Sequence, residues 1–134
     1  MITRAAIAIA AASLVIASDA SAQQIIRGRV VDVLDWTDDA VGLRTRHYDQ
    51  RTFVCPATAD PTAYPVWGTG IYADHSSICA AAVHAGVITA AEGGPVTIQE
   101  VDGLEDYIGT TRNGITSQSL GAWYFSFQFV TNPN

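Results

Sequence analysis

Lysine is absent from this chain: its 7 basic residues are all arginines, set against 13 acids for a formal charge of −6. Nucleic acid and anionic membranes are held by clustered positive charge, so neither is an expected partner. Beyond the first two dozen residues no apolar run approaches the ~20 residues that a membrane span needs. No G-x-S-x-G, P-loop or H-E-x-x-H pattern occurs, and there are no internal repeats. Charged residues make up only 15% of the chain and hydrophobic ones 49%, which excludes a disordered polypeptide.

What is present begins with a leader. Arg4 precedes an apolar run from Ala5 to Ala17, and Ala20-Ser21-Ala22 is a small-x-small cleavage pattern. Residues 1–22 therefore read as a secretory signal peptide, with an N-terminal anchor as the alternative that its short length disfavours. Its removal leaves 112 residues, enough for one domain with a modest core. The product is expected to be periplasmic or secreted, with no membrane span in the mature chain. In that oxidising setting Cys55 and Cys79 are expected to form a disulfide. The competing reading is a reactive thiol at a helix start.

Along the mature chain, Gln23–Leu34 reads as an early strand or lead-in segment, and Asp35–Asp49 as an acidic loop with a short extended piece near Gly42. Strands are expected at Arg51–Cys55, near Val66, and at Pro95–Val101, where apolar and polar residues alternate. Asn113-Gly114 is a strong hairpin signal, since both residues tolerate positive φ. Leu120–Val130 alternates again, with Trp123, Phe125, Phe127 and Phe129 on one face.

Between these strands lies Tyr72-Ala-Asp-His-Ser-Ser-Ile-Cys-Ala-Ala-Ala-Val-His-Ala-Gly86. Asp74 or Ser76 is expected to cap a short helix, and Gly86 to end it in a left-handed conformation. Ile78 to Ala85 has almost no polar face, so the helix must be enclosed. One buried helix and several antiparallel strands give an α+β class.

The same residues carry a resemblance to the LCCL domain family of secreted and cell-surface proteins. Its signature, Y-x3-S-x2-C-x-A-A-x-H-x-G, is met by Tyr72, Ser76, Cys79, Ala81, Ala82, His84 and Gly86. The likeness continues through Cys55-Pro56, Val66-Trp67-Gly68, Gly93-Gly94-Pro95, Tyr107, Asn113-Gly114-Ile115, Ser117 and Trp123…Ser126-Phe127. The chain looks like a small exported bacterial member, divided into a leader (1–22), a lead-in segment (23–35) and the domain (36–131). The resemblance implies a central buried helix wrapped by antiparallel strands and a non-catalytic binding or adhesion module. Its implied partners are a glycan, a glycolipid or an envelope protein. Many animal members carry four cysteines in two bridges; here Ala59 occupies the position of the partner cysteine, so the resemblance implies that Cys55 reaches Cys79 by a shifted pairing.

Candidate site residues follow. Arg112 beside Asn113, with Tyr107 near in sequence, offers a donor and an aromatic platform for sugars or glycolipid head groups. Asp74 and His75 form a weaker ligand-binding candidate. Tyr72, Ser76, His84 and Gly86 are expected to be structural, His84 bonding nearby carbonyls at the helix end. Cys79 and His84, five apart on a helix, point ~140° from one another and make no catalytic pair. His47, His75 and His84 lack metal-ligand spacing, and Asp35, Asp38 and Asp39 lack a calcium-loop layout; no cofactor is expected. The alternatives left open are a small envelope hydrolase using His84 or His75, and a structural partner of another envelope protein.

Overall fold

A computed structural model of the chain describes residues 23–131. The leader assignment at 1–22 lies outside the described residues. The architecture is mostly β, with one short helix and a disulfide. Nine strands occur in chain order: β1 Gln23–Ile26, β2 Arg29–Val33, β3 Gln50–Cys55, β4 Gly68–Thr69, β5 Ile71–Ala73, β6 Gly94–Asp102, β7 Thr111–Arg112, β8 Ile115–Thr116 and β9 Phe125–Phe129. Helix α1, Ile78–His84, falls between β5 and β6. Seven strands form one sheet in the order β1-β2-β3-β6-β9-β5-β4, and β7-β8 form a separate hairpin.

Gln23–Val33 is a hairpin rather than one strand, because Arg27 (φ 52°) and Gly28 (φ 78°) both turn left-handed. β2 then joins β3 in parallel, aligning Asp32 with Phe53, so the sheet is not wholly antiparallel. The piece near Gly42 is a tight 3-10 turn over Val41–Leu43, not extended. β6, the longest strand, pairs along its length with β3 and β9 and places Val96 and Ile98 in the core. On β9 the ring of Phe127 is fully buried and meets Tyr72 and Phe129 at centroid separations of 5.8 and 5.7 Å. Burial of one such ring is worth about 3 kcal/mol. The opposite face is not simply polar: Ser126 is also fully buried, beneath the Tyr107 hydroxyl 2.6 Å away.

Every residue of α1 is buried, Ala80, Ala81 and Ala82 completely. Methyl side chains let neighbouring backbone close onto the helix, and no polar face remains to be hydrated. The N-cap is Ser77, whose Oγ accepts from the Ala80 N–H at 3.1 Å; this corrects the assignment to Asp74 or Ser76. Ser76 is diverted to Trp67, accepting from its N–H at 2.9 Å. At the other end Gly86 takes φ 82°. The Cys55–Cys79 disulfide joins the end of β3 to the first turn of α1, with Cα atoms 5.6 Å apart. Gly103 is needed for space, since a Cβ there would collide with the carbonyl of Trp123.

Candidate functional site

The Asn113-Gly114 turn folds back onto the C-terminal end of α1. Asn113 (φ 53°) and Gly114 (φ 81°) form the left-handed pair that a two-residue hairpin requires. The Asn113 amide donates to the backbone carbonyl of His84 at 3.0 Å, satisfying one of the helix's terminal acceptors. Between turn and helix opens a cleft of about 370 Å³, lined by Pro61, Val83, Gly86, Ile88, Thr89, Ala90, Asn113 and Gly114. Its size is at the small end of ligand pockets, and a mainly apolar lining with a few polar groups is their usual composition. Arg112, on β7 next to Asn113, is exposed.

Tyr107 does not belong to that surface. It is fully buried, pairs with Leu120 through a β-bridge, accepts from the Leu104 N–H at 3.0 Å and contacts Ser126 through its hydroxyl. The aromatic-platform assignment is therefore corrected: the ring is spent on closing the 103–120 loop. Asn113 lines the cleft, and Arg112 precedes it on β7, without Tyr107.

His84 is likewise sealed in. The Thr110 carbonyl can only accept, so Nε2 carries the proton and donates to it at 3.0 Å, while Nδ1 accepts from the Tyr72 hydroxyl at 2.9 Å. Burial pushes the Tyr72 phenol above its ordinary pKa. The carbonyl served is thus one across the fold, and the helix end itself is satisfied by Asn113. Tyr72–His84, Ser76–Trp67 and Cys79–Cys55 are contacts among signature residues that tie the helix to its surroundings.

Asp74 and His75 lie in a different region. Asp74 is completely buried and accepts from the Arg44 guanidinium at 2.6 and 3.1 Å and from the Trp123 indole at 2.9 Å. With no exposed surface it neither caps the helix nor meets a ligand, which corrects both assignments. The His75 ring packs against Trp67 and Trp123, tilted by 34° and 49° with centroids 4.2 and 4.5 Å away, and is only partly exposed. Burial lowers its pKa, against the opposing pull of Asp74 and Asp39.

One cluster escaped the sequence reading. Glu100 is buried at 1% exposure with both carboxylate oxygens lacking a hydrogen-bond partner, and burial, reinforced by Asp74, raises its pKa. His47 Nδ1 lies 3.9 Å from it, while Nε2 donates to Asp102 at 2.8 Å. Tyr48 donates to the other Asp102 oxygen at 2.8 Å, and these bonds, Tyr48 before His47, lower the Asp102 pKa. The signal was there: Val96, Ile98 and Glu100 share strand parity. Among the described residues no three His, Cys, Asp or Glu side chains converge as metal ligands.

The described residues thus form a disulfide-stapled, mostly β domain that encloses its helix, with a small cleft beside the Asn113-Gly114 turn. Residues 34–127, well over half of the chain, match the LCCL domain, and the chain belongs to that family. It is similar to the Homo sapiens protein "Cysteine-rich secretory protein LCCL domain-containing 2", 54% identical over 70 residues, which is 50% of this chain and 14% of that protein. It is also similar to vitrin of Mus musculus, 44% identical over 73 residues (54% of this chain, 11% of vitrin). Cochlin of Cavia porcellus is 46% identical over 74 residues, 55% of this chain and 13% of cochlin. The matched stretch is thus a small part of each of these relatives.

Proposed function

We propose that the protein is an exported, non-catalytic binding module, periplasmic or secreted, that recognises a carbohydrate, glycolipid or other cell-envelope component. In this reading residues 1–22 are removed on export from a bacterial-type cell, and the strands wrap a central helix that serves only as scaffold. The ligand enters the cleft between the end of α1 and the Asn113-Gly114 turn. Its apolar part covers Val83 and Ile88, and Arg112 at the lip supplies a charged donor. The observation that carries this reading is the cleft itself, of about 370 Å³, lined mainly by apolar residues with Thr89 and Asn113 as its polar side chains. Family membership and the secretory relative support the extracytoplasmic setting, and no helix among the described residues is long and apolar enough to cross a membrane.

A glycan and lipid array probed with the purified protein tests it. Arg112→Ala is expected to weaken the strongest signal at least ~10-fold with the melting temperature unchanged, since a lost charge-assisted hydrogen bond costs about 1.5–3 kcal/mol. An array without signal, or signals indifferent to Arg112 and to Val83→Trp in the cleft lining, would sink the reading. A hydrolase built on His84 has less to support it, because both ring nitrogens already serve Tyr72 and Thr110. A role as structural partner of an envelope protein makes a different prediction: recovery of one specific protein in a pull-down.

A further inference from the structure

The β1–β2 hairpin lies outside the stretch that matches the family, 34–127. Among the described residues it forms one end of the seven-stranded sheet, with β1 outermost. The edge sequence Gln-Gln-Ile-Ile carries no charge, no proline and no bulge, the devices that ordinarily blunt an open strand. Ile25 and its cross-strand neighbour Val30 share a face and stand 74% and 64% exposed. Ile26 pairs with Arg29 directly across the two-residue turn, so the backbone groups of Gln24 and Ile26 point at β2. The N–H and C=O of Ile25 and Gln23 therefore point outward.

We propose that β1 is the interface of a homodimer, in which the β1 strands of two copies pair antiparallel about a two-fold axis at Ile25. That register lets Ile25 exchange both backbone hydrogen bonds with Ile25 of the second copy. It also lays Val30 and Ile25 of one copy and Ile25 and Val30 of the other in a single apolar row. Charge selects a second copy as the occupant. The turn end of each hairpin carries Arg27 and Arg29, while the other end carries Asp32, bonded to Gln23 at 3.2 Å. Antiparallel pairing sets the arginine end of one hairpin beside the aspartate end of the other. A four-residue edge buries far less than the ~1,200–2,000 Å² of a stable complex, so the dimer forms only at high concentration. The inference is independent of what the cleft binds.

Cysteine cross-linking reads the register directly, because Cys55 and Cys79 are already joined and an added thiol has no other partner among the described residues. Ile25→Cys under mild oxidation is expected to give a covalent dimer. Gln24→Cys, on the other face and opposite Ile26, is expected to give at least ~10-fold less. Sedimentation of the unaltered protein between ~10 μM and ~1 mM is expected to show a rising coefficient, abolished by Ile25→Lys or Val30→Lys. Both positions face solvent, and an unchanged melting transition of the dilute variants checks the fold. A concentration-independent monomer overturns the proposal, as does equal cross-linking from positions 24 and 25. A monomer whose β1 edge is occupied by residues 1–22 overturns it equally.

Discussion

Removal of the Cys55–Cys79 cross-link is the perturbation whose size follows most directly from chain geometry. The two residues are 24 apart, closing a ring of about 25 residues. In the chain-entropy treatment that ring restricts the unfolded state by ~12 cal/mol/K, or about 3.5 kcal/mol at 25 °C. An unfolding entropy of ~2.1 cal/mol/K per residue over a domain of this length converts this to a loss of about 15 °C in Tm. Both sulfurs are buried, so a reductant reaches them only when the domain opens. The sample must be unfolded, reduced and refolded in reductant before its melt is compared with that of the oxidised protein. Reduced wild type keeps both sulfur atoms in the core and isolates the cross-link from packing. Cys55→Ala/Cys79→Ala also deletes two buried atoms and is expected to melt lower still. A reduced form that refolds and melts within ~3 °C of the oxidised one would refute the reasoning, because a ring of this length cannot be that cheap to open.

Glu100→Gln is expected to raise Tm near pH 7.5 and flatten its pH dependence. The raised pKa of Glu100 means that the folded state binds its proton more tightly, so its stabilising contribution is present below the ordinary carboxyl value of about 4.5 and is lost as pH climbs through the raised one. Parallel Tm–pH curves for variant and wild type would remove Glu100 from that account. Asp74→Ala strands the Arg44 guanidinium and the Trp123 indole and is expected to cost about 2–3 kcal/mol in urea denaturation; a change below ~0.5 kcal/mol would show that these bonds are replaced by water at no net loss. Gly103→Ala drives a methyl group into the Trp123 carbonyl and is expected to destabilise by at least ~2 kcal/mol, again by denaturant midpoint, with a neutral outcome counting against the close approach.

The helix and the Asn113-Gly114 hairpin were legible because their signals are local: alanines on every side, a left-handed glycine after the last turn, and a residue pair suited to positive φ. The capping residue was not, although the candidates lay within four positions. Three polar side chains compete there, and distant groups decide among them: Trp67 engages Ser76, Arg44 and Trp123 engage Asp74, and Ser77 is left to cap. Tyr107 misled for a related reason. It follows Glu105 and Asp106 in sequence, and the contacts that bury it include Leu120 and Ser126, which no local pattern brings near. The parallel joining of β2 to β3 is also a long-range event, across a loop of polar residues. Arg27-Gly28 is a weaker turn signal than Asn-Gly, and the first hairpin was taken for a single segment as a result. Of the candidate site, the Asn113-Gly114 turn is a local signal, whereas the cleft that Asn113 helps to line arises only when the turn docks on the helix.

The complete enclosure of α1 divides the chain into positions that can drift and positions that cannot. Any side chain larger than methyl at Ala80, Ala81 or Ala82 pushes against surroundings with no slack. Sequence change must then accumulate at the exposed positions of the connecting loops, within residues 56–66, 86–93 and 103–110, while the alanine rod holds them in register. Such a division makes the domain a frame on which exposed loop positions could be exchanged, with the disulfide, the Tyr72–His84 bond, Gly103 and Tyr107 kept as fixed points.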